Sequence, residues 1–269
     1  MKATYLFMFL CLIASLVYAV EAPEGFVLVE GGTFHNGSAD VNISSFWMSK
    51  YEVTQAEYLE STKVKKSFFA DKPNNPVECV SWFEAIAYCN MRSRAELLHP
   101  CYSYGDLGTN PADWPVGWYL KDDNQANIHC DWEADGFRLP TEMEWLYAAK
   151  GGKLSKNYQY SGSDDWQTVA WFRDYESPEA PKAVGTKSPN ELGIYDMSGN
   201  VSEWCWDLMG DLSTELQSDP KGADSGIDRV FRGGNWFTEP PYAKLSMRKS
   251  LEPMNGSYNL GFRVCRKVK

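Results

Sequence analysis

The sequence predicts a mixed α+β fold with short elements and little regular secondary structure. Three observations carry this prediction: capping boxes that open three short helices, brief apolar runs that end at glycines, and long polar segments rich in tryptophan and tyrosine. The chain has 269 residues with 14% aromatic residues and 11 tryptophans, enough to bury a large core. We expect one domain over residues 23–269, because no linker divides this stretch.

The N-terminus has the features of a secretory signal peptide. Lys2 supplies a positive charge, Tyr5–Val17 is an apolar run, and small-x-small cleavage sites end at Ala19 and at Ala22. The apolar run is shorter than the roughly 20 residues of a membrane-spanning helix. We therefore expect residues 1–19 to be a signal peptide. The mature protein is then exported to the periplasm, the cell surface or the medium, with no membrane span.

The mature chain is predicted to begin with β-structure. Gly25–Phe34 alternates apolar and polar residues and then turns at Gly31-Gly32, which is typical of a hairpin strand. Ile43–Tyr51 predicts another strand of the same kind.

Three capping boxes predict the starts of three short helices. In a capping box a Ser or Thr side chain accepts from the amide three residues on, and the Glu there reaches back to the first amide. The third helix should end near Gly151, since glycine suits the position after a helix. The three pairs are Thr54 with Glu57, Ser81 with Glu84, and Thr141 with Glu144.

The long segments between these helices are predicted to be ordered. Leu98–Phe137 is rich in Asp, Asn, Gly and Trp, and its aromatic content argues against disorder. We interpret it as a surface insertion with a couple of short strands. Ser155–Pro189 has a similar character, with Trp166 and Trp171 as expected buried anchors.

Charge and motif content exclude several classes of function. The formal net charge is −10 and the pI is near 4.9, with no basic run, so nucleic acid and anionic membranes are poor partners. The histidines are scattered, and the serine-hydrolase elbow, the phosphate loop and the dinucleotide fingerprint do not occur. The expected partner is an unknown protein or a small ligand.

Six cysteines remain once Cys11 of the signal segment is set aside. An even number in an exported protein favours disulfides over metal thiolates, and no C-x-x-C pair occurs. Cys101 and Cys130 lie in strand-like stretches that flank one insertion, so we expect a Cys101–Cys130 disulfide. The alternative is that the cysteines are free buried thiols.

The turn-rich stretch Asn190–Asp207 is interpreted as a structured loop built into the core. Asn200 and Glu203, with the carbonyls of 199–202, offer hard oxygen donors of the kind that calcium prefers. The alternative is that these polar side chains satisfy the backbone of a buried loop. The residues alone leave both interpretations open.

Two sets of charged residues are expected to be structural. Arg138, Arg232 and Arg263 lie close to Gly or Pro in motif-like stretches, where we expect them to be buried and paired with acids. Glu142 and Glu144 lie two residues apart on a helix and point to different faces, which argues against a shared general acid–base role.

The C-terminal region contains the candidate ligand site. Arg229–Trp236 and Leu260–Cys265 are apolar stretches punctuated by glycine, and we expect them to be neighbouring strands. The irregular segment between them carries aromatic and polar side chains typical of a recognition surface. The candidate ligand-binding residues are Phe237, Thr238, Glu239, Tyr242, Asn255 and Tyr258.

Seven motifs, which cover nearly the whole mature chain, carry a resemblance to a known family. In order they are GGTF (31–34), EVTQAEY (52–58), PVECVSWFEAIAYCN (76–90), GFRLPTEMEWLYAAKGG (136–152), LGIYDMSGNVSEW (192–204), RVFRGGNW (229–236) and LGFRV (260–264). With them the chain resembles the formylglycine-generating enzyme family, also called the sulfatase-modifying factor family. The resemblance implies a C-type-lectin-like fold with a twisted antiparallel sheet near the C-terminus and a few short helices.

The resemblance also bears on activity. Enzymes of this family oxidise a sulfatase cysteine to formylglycine with two copper(I)-binding cysteines that follow the RGGS motif. Here no cysteine lies between Cys205 and Cys265; Thr238 falls at the first position and Ala243 or Pro240 at the second. A hydroxyl or methyl group cannot replace soft thiolates, so copper is not expected. The family's calcium site maps onto Asn200, Glu203 and the carbonyl of Val201, with calcium as the expected structural cofactor.

Three hypotheses for function follow. The first is a secreted binding or structural module without oxidase activity, which uses the loop after RGGNW. The second is a formylglycine-generating oxidase with an altered site. The third is a receptor of this fold diversified by a retroelement in its C-terminal region.

Overall fold

The computed structural model describes residues 22–173 and 180–268. The predicted signal peptide over residues 1–19 lies outside the described residues. Within those two ranges, every helix is too short or too polar to cross a bilayer.

The elements are short, as the sequence predicts, and the fold is a mixed α+β fold. The α-helices of the described residues are α1 (Gln55–Thr62), α2 (Trp82–Ala95), α3 (Glu142–Ala149) and α4 (Trp166–Val169). The strands are β1 (Phe26–Val29), β2 (Gly32–His35), β3 (Asp40–Ile43), β4 (Phe46–Ser49), β5 (Tyr102–Tyr104), β6 (Ile128–Cys130), β7 (Ser202–Leu208), β8 (Gln217–Ser218), β9 (Arg229–Arg232), β10 (Lys249–Leu251), β11 (Leu260–Gly261) and β12 (Cys265–Lys267).

All three predicted capping boxes are confirmed. In α1, α2 and α3 the side chain of the residue before the helix accepts from the amide three residues on, and the glutamate reaches back. Gly151 follows the end of α3 with φ of +92°, a left-handed conformation that glycine adopts without strain. These boundaries depend on local chemistry, which is why the sequence predicts them.

The first strands pair differently from the prediction. Gly31-Gly32 is not a hairpin turn, because β1 pairs with β4 while β2 pairs with β3. A Cβ atom on Gly31 would lie 2.5 Å from the carbonyl oxygen of Ile43, so this glycine permits a close backbone approach. The predicted strand Ile43–Tyr51 is broken after β3, where the Ser44 amide and hydroxyl bind the Asp219 carboxylate at 2.7 and 2.6 Å.

The C-terminal sheet has the strand order β10-β9-β7-β11. The prediction that β9 and β11 are neighbours is wrong, because β7 lies between them, antiparallel to β9 and parallel to β11. The interpretation of Asn190–Asp207 as a loop throughout is also wrong, since Ser202–Leu208 forms β7. The sequence did not predict this strand because Glu203 and Asp207, which are buried, interrupt the apolar pattern expected of a central strand. The last strand, β12, leaves this sheet and pairs with β4.

The two long segments differ in how well they match the prediction. The insertion at 98–137 is ordered and contains the β5–β6 pair, as expected. Trp166 and Trp171, predicted as buried anchors, are only half-buried. Trp171 lies at the surface, where its indole donates to Thr186 Oγ1 at 2.9 Å and the Lys187 ammonium lies 4.2 Å from its ring.

Candidate functional site

Two glycines after β9 turn the chain back over the C-terminal sheet. Gly233 and Gly234 have φ values of +93° and +68°, which favour glycine. A Cβ atom on Gly234 would lie 2.6 Å from Cβ of Ala243, so the start of the loop packs tightly against its later part. The RGGNW motif therefore sets the direction of the loop.

Asn235 fixes the conformation of the residues that follow. Its buried side chain donates to Ser202 Oγ at 3.0 Å and accepts from the Phe237 amide at 3.1 Å and from Thr238 Oγ1 at 3.0 Å. The Thr238 carbonyl accepts from the Arg173 amide at 2.9 Å. The loop is thus held from both sides before any ligand binds.

A groove of about 540 Å³, which we call the sheet groove, lies between this loop and the sheet. Phe231, Leu251 and Leu260 supply its apolar lining, and Arg173 and Lys249 bring positive charge. Four of the six predicted ligand residues line it: Phe237, Thr238, Glu239 and Tyr242. The groove therefore offers apolar surface, hydrogen-bonding groups and charges of both signs, the composition of a ligand pocket.

The other two predicted residues lie elsewhere. Tyr258 packs beside the groove, with its ring centroid 6.5 Å from that of Phe237. Asn255 does not line the sheet groove; its amide donates to Glu252 Oε2 at 2.8 Å. The sequence did not predict Arg173 and Lys249 as site residues. Arg173 lies outside the predicted loop, and Lys249 belongs to β10, the edge strand of the sheet.

An aromatic cluster adjoins the sheet groove. We call it the aromatic rim, and its members are Phe68, Phe69, Trp236, Phe237 and Tyr258, with adjacent ring centroids 5.0–6.5 Å apart. Phe68 is 72% exposed, Phe237 46% and Tyr258 40%. Exposed aromatic rings that touch one another are enriched at recognition surfaces. The adjacent pair Phe68-Phe69, in a lysine-rich loop, is a sequence signal that was missed.

The predicted calcium ligands already have protein partners. Glu203 accepts from Arg263 at both carboxylate oxygens, at 2.6 and 2.7 Å, and from the Trp145 indole at 2.6 Å. Asn200 donates to Glu52 Oε2 at 2.6 Å and accepts from the Lys182 amide at 2.9 Å. A calcium ion at Glu203 would have to displace Arg263 or lie against its positive charge, so this arrangement does not fit calcium.

The same contacts match the alternative interpretation, in which these side chains satisfy a buried loop. Glu52 is completely buried and accepts from the Val201 amide at 3.0 Å as well as from Asn200. Burial raises the pKa of Glu52, and it raises the pKa of Asp196 to about 6. Within the described ranges, no group of three or more His, Cys, Asp or Glu is arranged to hold a metal ion. Calcium binding stays a prediction of the sequence.

The predicted structural arginines are confirmed. Arg138 pairs with Glu144 at 2.6 Å and Arg263 with Glu203 at 2.6 Å, all four side chains being buried. Arg232 lies 3.5 Å from Glu142, which also binds Arg248 at 2.6 Å. These arginines stabilise the scaffold beneath the site and do not face the sheet groove.

The cysteines at 79, 89, 101, 130, 205 and 265 are free thiols in this structure. Cys130 lies opposite Tyr102 in the β5–β6 ladder, and the Cys101 thiol donates to the Gly136 carbonyl at 3.4 Å. Burial raises the pKa of Cys101 to about 11, so this thiol ionises less readily than an exposed one. The Cys101–Cys130 disulfide stays a prediction.

Comparison with known proteins identifies the family. Residues 17–268 match the Sulfatase-modifying factor enzyme 1-like domain. The chain belongs to this family, the sulfatase-modifying factor family of the formylglycine-generating enzymes. The chain is 27% identical to the formylglycine-generating enzyme of Bos taurus over 293 residues, which cover 90% of this chain and 74% of that protein.

Other relatives carry different descriptions. The chain is 35% identical to a protein named Chaperone protein LppX from Paenibacillus barcinonensis, covering 90% of this chain and 89% of that one. It is similar to the structure of Treponema denticola variable protein 1, with a TM-score of 0.80 and 31% identity over 90% of this chain and 95% of that chain. It also matches 38% of the serine/threonine-protein kinase pkn1 of Chlamydia pneumoniae at 29% identity. Family membership is therefore compatible with several functions.

Proposed function

We propose that this chain is an exported binding protein of the sulfatase-modifying factor family that lacks oxidase activity and binds a polypeptide segment in the sheet groove. The observation that carries the proposal is the convergence of Phe237, Thr238, Glu239 and Tyr242 on one groove over the sheet. The groove is bordered by exposed aromatic rings, which bury large apolar area on binding at a small entropy cost.

The chemistry of the groove favours a polypeptide. Phe231, Leu251 and Leu260 suit an apolar side chain, while Glu239 faces the same space as Lys249 and Arg173. Groups of both charges beside apolar surface match the mixed side chains of a peptide better than a sugar or a nucleotide. The name of LppX as a chaperone also supports a protein ligand.

The residues at the family's catalytic positions argue against oxidase chemistry. Thr238 and Ala243 are 9% and 1% exposed, and neither they nor Pro240, the alternative second position, carries a thiol that could bind copper(I). The oxidase hypothesis retains support from the similarity to the Bos taurus enzyme. The diversified-receptor hypothesis has support from the similarity to Treponema denticola variable protein 1, and a reverse transcriptase gene beside the coding gene would favour it.

Two experiments test the proposal. In the first, the mature protein is supplied with copper(I), oxygen and a Cys-x-Pro-x-Arg peptide, and mass spectrometry looks for the aldehyde. We expect no conversion while an active family enzyme run in parallel converts the peptide. Conversion above a protein-free control would overturn the inactive assignment.

The second experiment selects binders from a phage-displayed library of linear peptides on the wild-type protein. Peptides enriched in this way should lose about tenfold in affinity for Tyr242→Ala, which removes an exposed ring of the groove. Asn255→Ala is the matched control and should bind like the wild type, because Asn255 lies outside the groove. The absence of enriched peptides, or equal binding by Tyr242→Ala, would contradict the sheet groove as the binding site.

A further inference from the structure

A second cavity, separate from the sheet groove, lies between helix α1 and the loop at 65–73. Its volume is about 260 Å³, just below the range typical of drug-sized ligands. Its apolar lining comes from Ala56, Tyr58 and Leu59 of α1 and from Ala70, Pro73 and Val77 of the segment that follows. We call it the α1 cavity.

The partly buried side chain of Gln55 and the buried side chain of Glu78 hold the loop of the α1 cavity in place. The Gln55 amide donates to the Phe69 carbonyl at 3.0 Å and accepts from the Lys72 amide at 3.2 Å. Glu78, which is completely buried, accepts from the Phe68 and Phe69 amides at 3.0 and 2.8 Å. With two anchors on different elements, the loop does not need to be ordered by a ligand, so the cavity is preformed.

The charge around the α1 cavity is opposite to that of the protein as a whole. The net charge of the chain is −10, yet residues 63–72 contain four lysines and one aspartate. Lys65 pairs with Asp71 at 2.8 Å and Lys66 with Glu84 at 2.6 Å. The charged residues that line the cavity are Lys65, Lys66, Asp71 and Lys72. Lys65 neutralises Asp71 and Lys66 pairs with Glu84, whereas Lys72 forms no ion pair with any residue of the described chain. An apolar cavity therefore has one uncompensated ammonium group at its wall.

From this arrangement we propose that the α1 cavity binds a small amphipathic anion, specifically a medium-chain carboxylate. The hydrocarbon chain is buried against α1, and the carboxylate pairs with Lys72. Tyr58, which is 4% exposed, and Val77, which is 1% exposed, are the most buried apolar residues that line the cavity and suit the hydrocarbon chain. The α1 cavity shares no lining residue with the sheet groove, so this proposal stands independently of the proposed peptide binding.

Isothermal titration calorimetry of the mature protein with octanoate tests this site. We expect saturable binding at one site, and Ala70→Trp and Ala56→Trp, which fill the cavity from its two walls, should each weaken it about tenfold. The unfolding midpoint of each variant establishes that it is folded. Lack of saturable binding, or undiminished binding by both folded variants, would overturn the proposal.

The role of charge has its own comparison. Lys72→Gln should weaken octanoate about threefold and leave 1-octanol binding unchanged, since only the carboxylate pairs with the ammonium group. Lys63→Gln is the matched control, because Lys63 belongs to the same loop but does not line the cavity. An equal loss of octanoate affinity in both variants would mean that the overall surface charge causes the effect, and it would overturn the role of Lys72.

Discussion

Arg263 and Glu203 form a bidentate ion pair in which both side chains are completely buried, with N–O distances of 2.6 and 2.7 Å. The same guanidinium donates to the Ser49 carbonyl at 3.1 Å and to the Tyr195 carbonyl at 2.8 Å. One arginine thus ties β7 to the end of β4 and to the loop before β7. The region in which the sequence suggested a metal ion is held together by a protein cation.

Removing the charge of Glu203 should strongly destabilise the protein. In Glu203→Gln, Arg263 remains buried without its counter-ion, and we expect a loss of about 3–5 kcal/mol in the free energy of unfolding. Urea denaturation measures this loss. Glu30→Gln, which removes the exposed pair with Lys153, should change stability by no more than about 0.5 kcal/mol. Similar losses in the two variants would contradict the structural role of the buried pair.

Asp207 should make the protein less stable as the pH rises. Burial raises the pKa of Asp207 to about 8, with the Glu142 carboxylate adding to the effect, while the Glu142 amide and Arg229 act in the opposite direction. The folded state then keeps a proton that the unfolded chain releases near pH 4, so the free energy of unfolding falls between about pH 4 and pH 8.

The variant Asp207→Asn tests this pH dependence. An asparagine oxygen can still accept from the Glu142 amide, which lies 2.7 Å from Asp207 Oδ2, and it carries no charge. We expect the variant to be more stable than the wild type at pH 8, with a flatter dependence on pH in urea denaturation. If the free energy of unfolding of the variant depends on pH between pH 5 and pH 8 as steeply as that of the wild type, groups other than Asp207 cause the dependence.

Calcium chelation should leave the unfolding midpoint unchanged. Arg263 and Trp145 take up the carboxylate of Glu203, so the folded state does not rely on a metal at this position. Thermal unfolding of the mature protein with EDTA, and then with excess calcium, measures the effect. A midpoint that falls with EDTA and recovers with calcium would restore the calcium site predicted from the sequence.

Loss of the cap at Thr141 should destabilise the protein by about 1 kcal/mol, since Thr141→Ala leaves the Glu144 amide without its acceptor. Thr141 is 1% exposed, and water cannot readily replace its hydroxyl. Thr54→Ala removes the equivalent cap of the partly exposed helix α1 and should cost less. Urea denaturation of the two variants compares them, and a larger loss in Thr54→Ala would contradict the role of burial.

The order of the C-terminal sheet is one part of the fold that the sequence did not predict. β7 was not predicted because Glu203 and Asp207 interrupt its apolar pattern, although both are buried. A carboxylate is tolerated in a central strand only when a partner arrives from elsewhere, and Arg263 is 60 residues away from Glu203. The candidate site was predicted in part: four loop residues face one groove, but Arg173 and Lys249 reach it through the tertiary fold.

The sequence by itself determined the family, the short α+β elements and the three helix starts, because motif order and capping boxes depend on residues close together in the chain. Only the tertiary structure decided that β7 lies between β9 and β11, that Arg263 takes up Glu203, and that a loop after α1 encloses a cavity beside Lys72. The first two depend on contacts between residues far apart in sequence, and the cavity depends on the way Gln55 and Glu78 hold the loop after α1. A buried charge is stable only when it is paired, and the local sequence pattern does not show which distant residue will be its partner.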